Sequence, residues 1–229
     1  MGRSGCVRLV VFDMDGVLVD VHSSWEYLHK KFGVEERARA YKRLFEEGRI
    51  SYEDWMRLDV SLWIEARGRV HKSELEALLA PIRPRSDAVE TVRSLRGLGV
   101  YMSIVSGGID LLARRIAREL GIGEWRANIL SFDEEGYLQP GGDPLVGVDK
   151  SRAVKEVAEK FGVALEETMF VGDSKWDLPA LRIVGHPVLF LNEKTGHREG
   201  SEDLLRTARH VISSLREIVG IVKNSCKPG

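Results

Sequence analysis

Short apolar runs alternate with amphipathic segments along most of the chain. Four runs have the length and the β-branched character of buried strands, and they span residues 7–12, 100–105, 168–171 and 187–191. Apolar residues recur at the spacing of a helix face over 109–120 and again over 154–161, which predicts two amphipathic helices. Continuous apolar strands that alternate with such helices are typical of parallel sheets. The pattern therefore predicts an α/β fold, with a Rossmann-like, mostly parallel sheet and helices on both faces.

The segment 21–83 departs from this alternation, because it contains no strand-like run. Two helical stripes occur in it: Trp25, Leu28 and Phe32, then Trp55, Leu58 and Leu62. Pro81 and Pro84 mark its end. We therefore predict an all-helical cap domain at 21–83, inserted into a core formed by 1–20 and 84–229. Later in the chain, the pattern predicts a β-hairpin over 128–138 and a closing helix over 213–222.

Composition narrows the classes of function. The 229 residues include 34 Lys and Arg against 35 Asp and Glu, for a net charge of -1. A general binder of nucleic acid or of anionic membrane surfaces usually carries a basic excess, so neither partner is expected. No apolar run reaches the length of a membrane span or of a secretory signal, and we expect a cytoplasmic protein. Nothing in the pattern indicates an oligomeric state.

Two cysteines, Cys6 and Cys226, lie near opposite ends of the chain, with no Cys-x-x-Cys motif and no Cys/His cluster. Isolated cysteines of this kind are usually reduced in a cytoplasmic protein. We therefore expect two free thiols.

Polar and charged residues follow three of the apolar runs. In chain order they are Asp13-Met14-Asp15-Gly16, Ser106-Gly107-Gly108, and Asp173 with Asp177. Lys150 stands apart from them, at the start of the predicted helix over 154–161. The carboxyl ends of parallel strands meet at one edge of the sheet, where open α/β folds bind their ligands. We therefore expect these side chains to converge at that edge.

Four converging carboxylates repel one another. Two unit charges about 4 Å apart repel by about 4 kcal/mol at an effective dielectric constant of about 20. A divalent cation, one lysine and one protonated carboxyl would nearly neutralise the group, and hard oxygen ligands without His or Cys favour Mg²⁺. The serine hydroxyl, the backbone N–H groups and the lysine suit a phosphoryl group. One aspartate is then free to attack phosphorus and to form an aspartyl phosphate.

These motifs resemble those of the haloacid dehalogenase superfamily of phosphatases. The segments that carry the resemblance are Asp13-Met14-Asp15-Gly16-Val17-Leu18, Val105-Ser106-Gly107, Lys150, and Gly172-Asp173-Ser174-Lys175-Trp176-Asp177. They occur in the order of the family's four motifs and span most of the chain. The resemblance implies a Mg²⁺-dependent phosphomonoester hydrolase, and the helical segment after the first motif resembles the cap that closes over the site in these enzymes.

The resemblance also implies a role for each site residue. Asp13 would be the nucleophile, and Asp15 would be the general acid for the leaving alcohol and then the general base for water. The metal would be held by Asp13, by the backbone carbonyl of Asp15 and by Asp173. The phosphoryl-binding groups would be Ser106, the Gly107 N–H and Lys150, and Asp177 would orient Lys150 and a metal-bound water. A dehalogenase of the same fold lacks the second aspartate, so Asp15 favours a phosphatase.

Within the superfamily, the likeness is greatest to the phosphoserine phosphatase group, although the cap differs from it. His22 stands where that group has a glutamate that holds the substrate amine, and Asp59 stands near an arginine that holds the substrate carboxylate. Arg57 lies two residues before Asp59, and Trp25 follows His22. We take these four residues as candidate substrate contacts. We expect a small phosphorylated metabolite as the substrate, with phosphoserine a poor one.

Two other classes of function fit part of the pattern. A phosphotransferase or mutase on the same scaffold would pass the phosphoryl group to a second hydroxyl instead of water. A receiver-type signalling module, which carries a phospho-aspartate, also gathers aspartates, a hydroxyl and a lysine around Mg²⁺. Such a module is typically much shorter and has adjacent acids after its first strand. The spacing of Asp13 and Asp15 and the extra helices therefore favour an enzyme.

Overall fold

A computed structural model describes residues 5–192 and 201–226. The strands are β1 Leu9–Phe12, β2 Tyr101–Ile109, β3 Trp125–Phe132, β4 Leu138–Asp143, β5 Thr168–Gly172, β6 His186–Phe190 and β7 His210–Ile212. They form a seven-stranded sheet in the order β4-β3-β2-β1-β5-β6-β7. Neighbouring strands are parallel, except for the antiparallel pair β3 and β4. The predicted α/β fold with a mostly parallel sheet is confirmed.

Helices account for most of the remaining described chain. They are α1 Ser24–Phe32, α2 Glu35–Glu46, α3 Tyr52–Arg67, α4 Lys72–Leu79, α5 Ser86–Gly97, α6 Asp110–Leu120, α7 Lys150–Phe161, α8 Leu178–Leu181, α9 Ser201–Thr207 and α10 Glu217–Ser225. Helices α1 to α4 fall inside 21–83, where the sequence predicts the cap, and the division into two domains stays a prediction. Among the residues that the structure describes, no helix has both the length and the apolar character needed to cross a membrane.

Consecutive residues of β1 enter two different hydrophobic clusters, because successive side chains of a strand point to opposite faces. Val10 and Phe12 belong to a cluster that includes apolar residues of α1, α3, α5 and α6. Leu9 and Val11 belong to a second cluster, with apolar residues of α7 and α8. All four β1 side chains are fully buried. Packing on both faces therefore holds β1 in place at the centre of the sheet.

Two elements extend beyond their predicted limits. Strand β2 continues through the glycines to Ile109, and its pairing with β3 shifts register between Val105 and Ile109. Helix α6 consequently begins at Asp110, one residue later than predicted. The predicted hairpin is confirmed, and its second strand runs on to Asp143.

The closing helix α10 begins four residues later than predicted. The Glu217 carboxylate accepts hydrogen bonds from the backbone N–H groups of Ser213 and Ser214, at 3.0 and 2.9 Å. These bonds form a turn before the helix, so the two serines cannot be part of its first turn. The sequence pattern of apolar residues does not reveal such a turn.

The expectation of two free thiols is wrong. Cys6 and Cys226 form a disulfide bond, although they are 220 positions apart in the sequence. The two ends of the chain meet because the segment before β1 runs beside the end of α10, where the Val7 N–H donates to Ser225 Oγ at 3.0 Å. This proximity arises only when the sheet and α10 are assembled.

We predict that the disulfide contributes measurably to stability. Replacing both cysteines, as Cys6→Ser with Cys226→Ser, is expected to lower the free energy of unfolding by about 2–4 kcal/mol, because the crosslink restricts the unfolded chain. Denaturant titration with and without reductant measures this difference, and the double variant serves as the control that reductant must leave unchanged. Two titratable thiols in the native, unreduced protein would contradict the prediction.

Candidate active site

The strand order brings the predicted site residues together. Strand β1 lies between β2 and β5, so the chain leaves β1 towards one side for β2 and crosses to its other side for β5. The crevice at the carboxyl ends of such strands is the usual ligand site of open α/β sheets. Asp13 and Asp15 follow β1, Ser106 and Gly107 lie in the last part of β2, and Asp173 follows β5.

Lys150 lies between two carboxylates in this crevice. Its Nζ is 2.7 Å from Asp13 Oδ2 and 2.6 Å from Asp177 Oδ1, and all three side chains are buried. Burial raises the pKa of Asp13 to about 7, although Lys150 opposes this rise. For Lys150, burial favours the neutral form, but Asp13 and Asp177 outweigh it and raise the pKa of the ammonium above its ordinary value. Lys150 is therefore charged.

Asp177 positions both Lys150 and the loop after β5. While its Oδ1 binds Lys150, its Oδ2 accepts hydrogen bonds from the backbone N–H of Asp173 (3.0 Å), the backbone N–H of Ser174 (2.9 Å) and Ser174 Oγ (3.1 Å). A Cβ at position 172 would lie 2.5 Å from Asp177 Cγ, so only glycine fits there. Both Asp177 oxygens are thus occupied within the protein.

Asp173 has an oxygen without a partner. Its Oδ2 is buried, and no described group donates a hydrogen bond to it. Gly16 approaches this atom closely, since a Cβ there would lie 2.0 Å from Asp173 Oδ2, and its φ is +78°. Burial, Asp177 and Asp13 all raise the pKa of Asp173. An open carboxylate oxygen in this position suits a cation.

Three carboxylates are close enough to share one ion. Asp13, Asp173 and Asp177 each offer an oxygen, and these oxygens lie within 4.8 Å of one another. The side chain of Asp15 is not in this group. The hard oxygen donors fit Mg²⁺, and Asp13 and Asp173 are the two carboxylates best placed to hold it, since internal donors occupy Asp177.

The first residue of α1 holds the side chain of Asp15. Its Oδ2 accepts hydrogen bonds from the Ser24 N–H and the Ser24 hydroxyl, both at 2.7 Å, and its Oδ1 is buried without a partner. Burial raises the pKa of Asp15, although the two Ser24 hydrogen bonds oppose the rise. Ser24 Oγ also accepts from the Ile109 N–H at 3.2 Å. Ser24 is not predicted as a site residue from the sequence, because no spacing rule links it to Asp15.

The glycines of β2 are fixed from two sides. The Gly107 carbonyl accepts hydrogen bonds from Trp25 Nε1 (3.0 Å) and from Asn128 Nδ2 (2.8 Å). Ser106 Oγ is buried and accepts from the Gly108 N–H at 3.1 Å. A Cβ at position 108 would lie 2.7 Å from Asp15 Oδ2, so this glycine lets β2 approach Asp15. Asn128 was also missed as a site residue.

A cavity of about 680 Å³ joins these residues to helices α1, α2 and α3. Among the predicted substrate contacts, His22, Trp25 and Asp59 line it. Arg57 does not, which corrects that prediction: its exposed guanidinium donates to Asp54 Oδ1 at 2.8 Å. Residues two apart on a helix differ by about 200° around its axis, so Arg57 and Asp59 cannot face the same cavity. Three aromatic residues that the sequence did not indicate for substrate binding also line the cavity: Tyr52, Trp55 and Trp176.

Comparisons with known proteins agree with this geometry. The haloacid dehalogenase-like hydrolase family matches residues 7–185. The phosphoserine phosphatase of Methanocaldococcus jannaschii is 30% identical over 187 residues, which cover 80% of this chain and 85% of that protein. The phosphoserine phosphatase of Albidiferax ferrireducens is 29% identical over 199 residues, which cover 84% of this chain and 81% of that protein.

A solved structure described as a phospho-aspartyl intermediate analogue of phosphoserine phosphatase is also similar. It has a TM-score of 0.73 and 27% sequence identity, and the match covers 94% of this chain and 98% of that one. The predicted superfamily is thereby confirmed. The chain belongs to the haloacid dehalogenase-like hydrolase family and is a phosphatase of the phosphoserine phosphatase-like kind.

Proposed function

We propose that this phosphatase uses Mg²⁺ to hydrolyse the phosphomonoester of a small metabolite, and that Asp13 carries the phosphoryl group between two steps. The observation that carries the proposal is the Asp13 carboxylate, buried at the end of β1 with the Lys150 ammonium 2.7 Å from Oδ2. The phospho-aspartyl analogue of a similar protein supports it. The match to hydrolases of this family also argues against the receiver-type alternative.

In the first step, the ionised Asp13 carboxylate attacks phosphorus, and the bond from phosphorus to the leaving oxygen breaks. Lys150 favours the ionised form of Asp13 and offers positive charge to the phosphoryl oxygens. Ser106 Oγ already accepts from Gly108, which leaves the Ser106 hydroxyl proton for a phosphoryl oxygen. The Gly107 N–H is the remaining donor that we assign to this group.

Asp15 supplies the proton for the leaving alcohol. Both Ser24 donors reach Oδ2, so the proton of a neutral Asp15 is on Oδ1, the oxygen without a partner. The raised pKa of Asp15 favours this protonated form. After the alcohol takes the proton, Oδ1 accepts one from the water that attacks the aspartyl phosphate. Inorganic phosphate leaves, and Asp13 and Asp15 return to their starting states.

Asp13, Asp173 and the Asp15 backbone carbonyl would hold Mg²⁺. The buried, unpartnered Oδ2 of Asp173 supports this assignment, and Asp177 would position Lys150 and the loop without binding the ion. When bound, Mg²⁺ supplies positive charge that stabilises the phosphoryl oxygens during transfer.

We predict that Asp13→Asn abolishes phosphate release, by a factor of about 10³ or more, because the amide is a poor nucleophile. The measurement is free phosphate from a panel of phosphomonoesters with Mg²⁺. Asp54→Asn is the matched control, since Asp54 is exposed and pairs only on the surface with Arg57 and Ser51. Equal release by wild type and Asp13→Asn would refute the assignment. Free phosphate below the substrate consumed would indicate transfer to a second hydroxyl.

We predict that Asp15→Asn separates the two steps. The 4-nitrophenolate group leaves without a proton, so the variant is expected to release a burst of about one equivalent per chain and then to stall. Alkyl phosphates need the proton, and their turnover is expected to fall by about 10²–10⁴. Stopped-flow absorbance and phosphate assays measure the two effects. An equal loss on both substrates, without a burst, would contradict the role of Asp15.

We predict that Asp173→Asn stabilises the metal-free protein and removes its response to Mg²⁺. The pKa of Asp173 is raised in the folded state, so the unfolded state binds fewer protons and folding loses free energy as the pH rises through that raised pKa. In EDTA, the variant is therefore expected to melt higher than wild type, most clearly at neutral and higher pH.

Addition of Mg²⁺ provides the second half of this test. Wild type is expected to gain about 2.7 kcal/mol at 100 times the dissociation constant, whereas Asp173→Asn gains little. Thermal melting of both proteins with EDTA and with Mg²⁺ measures the shift. The assignment fails when Mg²⁺ stabilises the two proteins equally.

A further inference from the structure

The proposed hydrolysis leaves one buried carboxylate in the cavity without a role. Asp59 on α3 lines the cavity and is only 3% exposed. Its Oδ2 lies 3.3 Å from His29 Nε2, and its Oδ1 is buried with no hydrogen bond from any described group. A buried carboxylate with an open oxygen is costly unless a further group satisfies it.

His29 does not neutralise Asp59. Trp63 Nε1 lies 3.0 Å from His29 Nδ1, and an indole N–H can only donate a hydrogen bond. Nδ1 must therefore be unprotonated, so the ring proton is on Nε2 and is donated to Asp59. His29 is then a neutral imidazole, and its contact with Asp59 is a hydrogen bond rather than an ion pair.

The other group that faces Asp59 is also neutral. Burial raises the pKa of Asp59, although the His29 ring and the Trp55 indole N–H oppose the rise. The Trp55 indole N–H faces Asp59 but donates no hydrogen bond of normal geometry to any described group. Trp55 stacks on Phe45 at 4.8 Å between ring centroids and meets Tyr52 edge-on at 5.6 Å. Asp59 thus lies beside an aromatic wall formed by Phe45, Tyr52 and Trp55, and the groups that face its carboxylate are neutral.

The two helices around Asp59 separate it from the phosphoryl end of the cavity. On α1, Trp25 binds the Gly107 carbonyl, and His29 is four residues further, a rise of about 6 Å. On α3, the Tyr52 hydroxyl accepts from Asn128, and Asp59 is seven residues further, a rise of about 10 Å. Asp59 therefore lies at the far end, where the leaving group of a substrate would extend.

We propose that Asp59 binds a cationic nitrogen on the leaving group, so that the substrate is a phosphomonoester of an amino alcohol. The proposal rests on the proposed phosphatase function and defines its substrate class. An ammonium group would neutralise Asp59 and lie against the faces of the aromatic wall, where cations are favoured. A carboxylate at the same place would be repelled by Asp59.

Basic residues also line the cavity, but in a different environment. Lys30 and Arg39 are exposed, and Lys42 is half-buried with its Nζ 3.6 Å from Glu26 Oε1. Water, salt and Glu26 therefore screen these charges. Asp59 is deep in the wall, where electrostatic interactions are stronger. This difference is the reason to favour a cationic leaving group over an anionic one.

The test compares three matched series of phosphomonoesters. Each series has carbon chains of about two to six atoms, so that the chain lengths cover the distances of about 6 to 10 Å given by the helix rises. The series end in a primary ammonium, in a methyl group or in a carboxylate. We expect wild type to favour the ammonium series over the methyl series by about tenfold or more in kcat/KM at the best length, mostly through KM. Asp59→Asn should remove this preference and leave the methyl series nearly unchanged. Asp54→Asn, on the same helix but exposed, should keep it.

Each other outcome has a defined meaning. If wild type releases phosphate from the methyl series without favouring the ammonium series, the role of Asp59 is overturned and the proposed hydrolysis stands. The role of Asp59 is also overturned if the preference for the ammonium series persists in Asp59→Asn. A carboxylate series that reacts faster than the ammonium series overturns it as well, and would assign the leaving group to Lys30 and Arg39. Failure of wild type on all three series and on 4-nitrophenyl phosphate would instead count against the proposed function. The wild-type comparison decides the question even if the variant does not fold.

Discussion

The active site depends on one buried ion cluster, in which the Lys150 ammonium lies between the carboxylates of Asp13 and Asp177. A buried carboxylate tends to take up a proton rather than stay charged, and Lys150 opposes this tendency for Asp13. The fold supplies the arrangement, because β1 and β5 are neighbours and α7 begins at Lys150 itself. Asp177 binds Lys150 and the loop after β5 together, so the position of the lysine and the position of Asp173 are linked.

The carboxylates in and around this cluster are unfavourable for stability and useful for chemistry. Burial raises the pKa values of Asp13, Asp15 and Asp173, and one lysine cannot balance all of them. Groups perturbed in this way are typical of catalytic sites. Two of them retain an unpartnered oxygen, Oδ1 of Asp15 and Oδ2 of Asp173. We assign the first to a transferable proton and the second to a cation, so each open oxygen has a chemical use in the proposed hydrolysis.

The sequence predicted those parts of the molecule that depend on local pattern. Apolar runs and the residues directly after them placed Asp13, Asp15 and Asp173 at the same edge of the sheet. Ser24 and Asn128 could not be found in this way, because they reach the site through contacts between distant segments. The prediction for Arg57 was wrong because the family resemblance places a cap residue only to within a residue or two. The face of a helix changes completely over that distance. The disulfide forms because the two ends of the chain lie side by side in the folded protein, and no local sequence pattern predicts that proximity.

We assign the phosphoryl group to Asp13 alone, and chemical trapping of the aspartyl phosphate tests this assignment. The enzyme is quenched during turnover, reduced with borohydride and digested, because hydride converts an aspartyl phosphate to homoserine. Peptide mass spectrometry should then find homoserine in place of aspartate at position 13, only in samples that received substrate and Mg²⁺. Homoserine at position 15 or 173, or unmodified aspartate throughout during active turnover, would contradict the account.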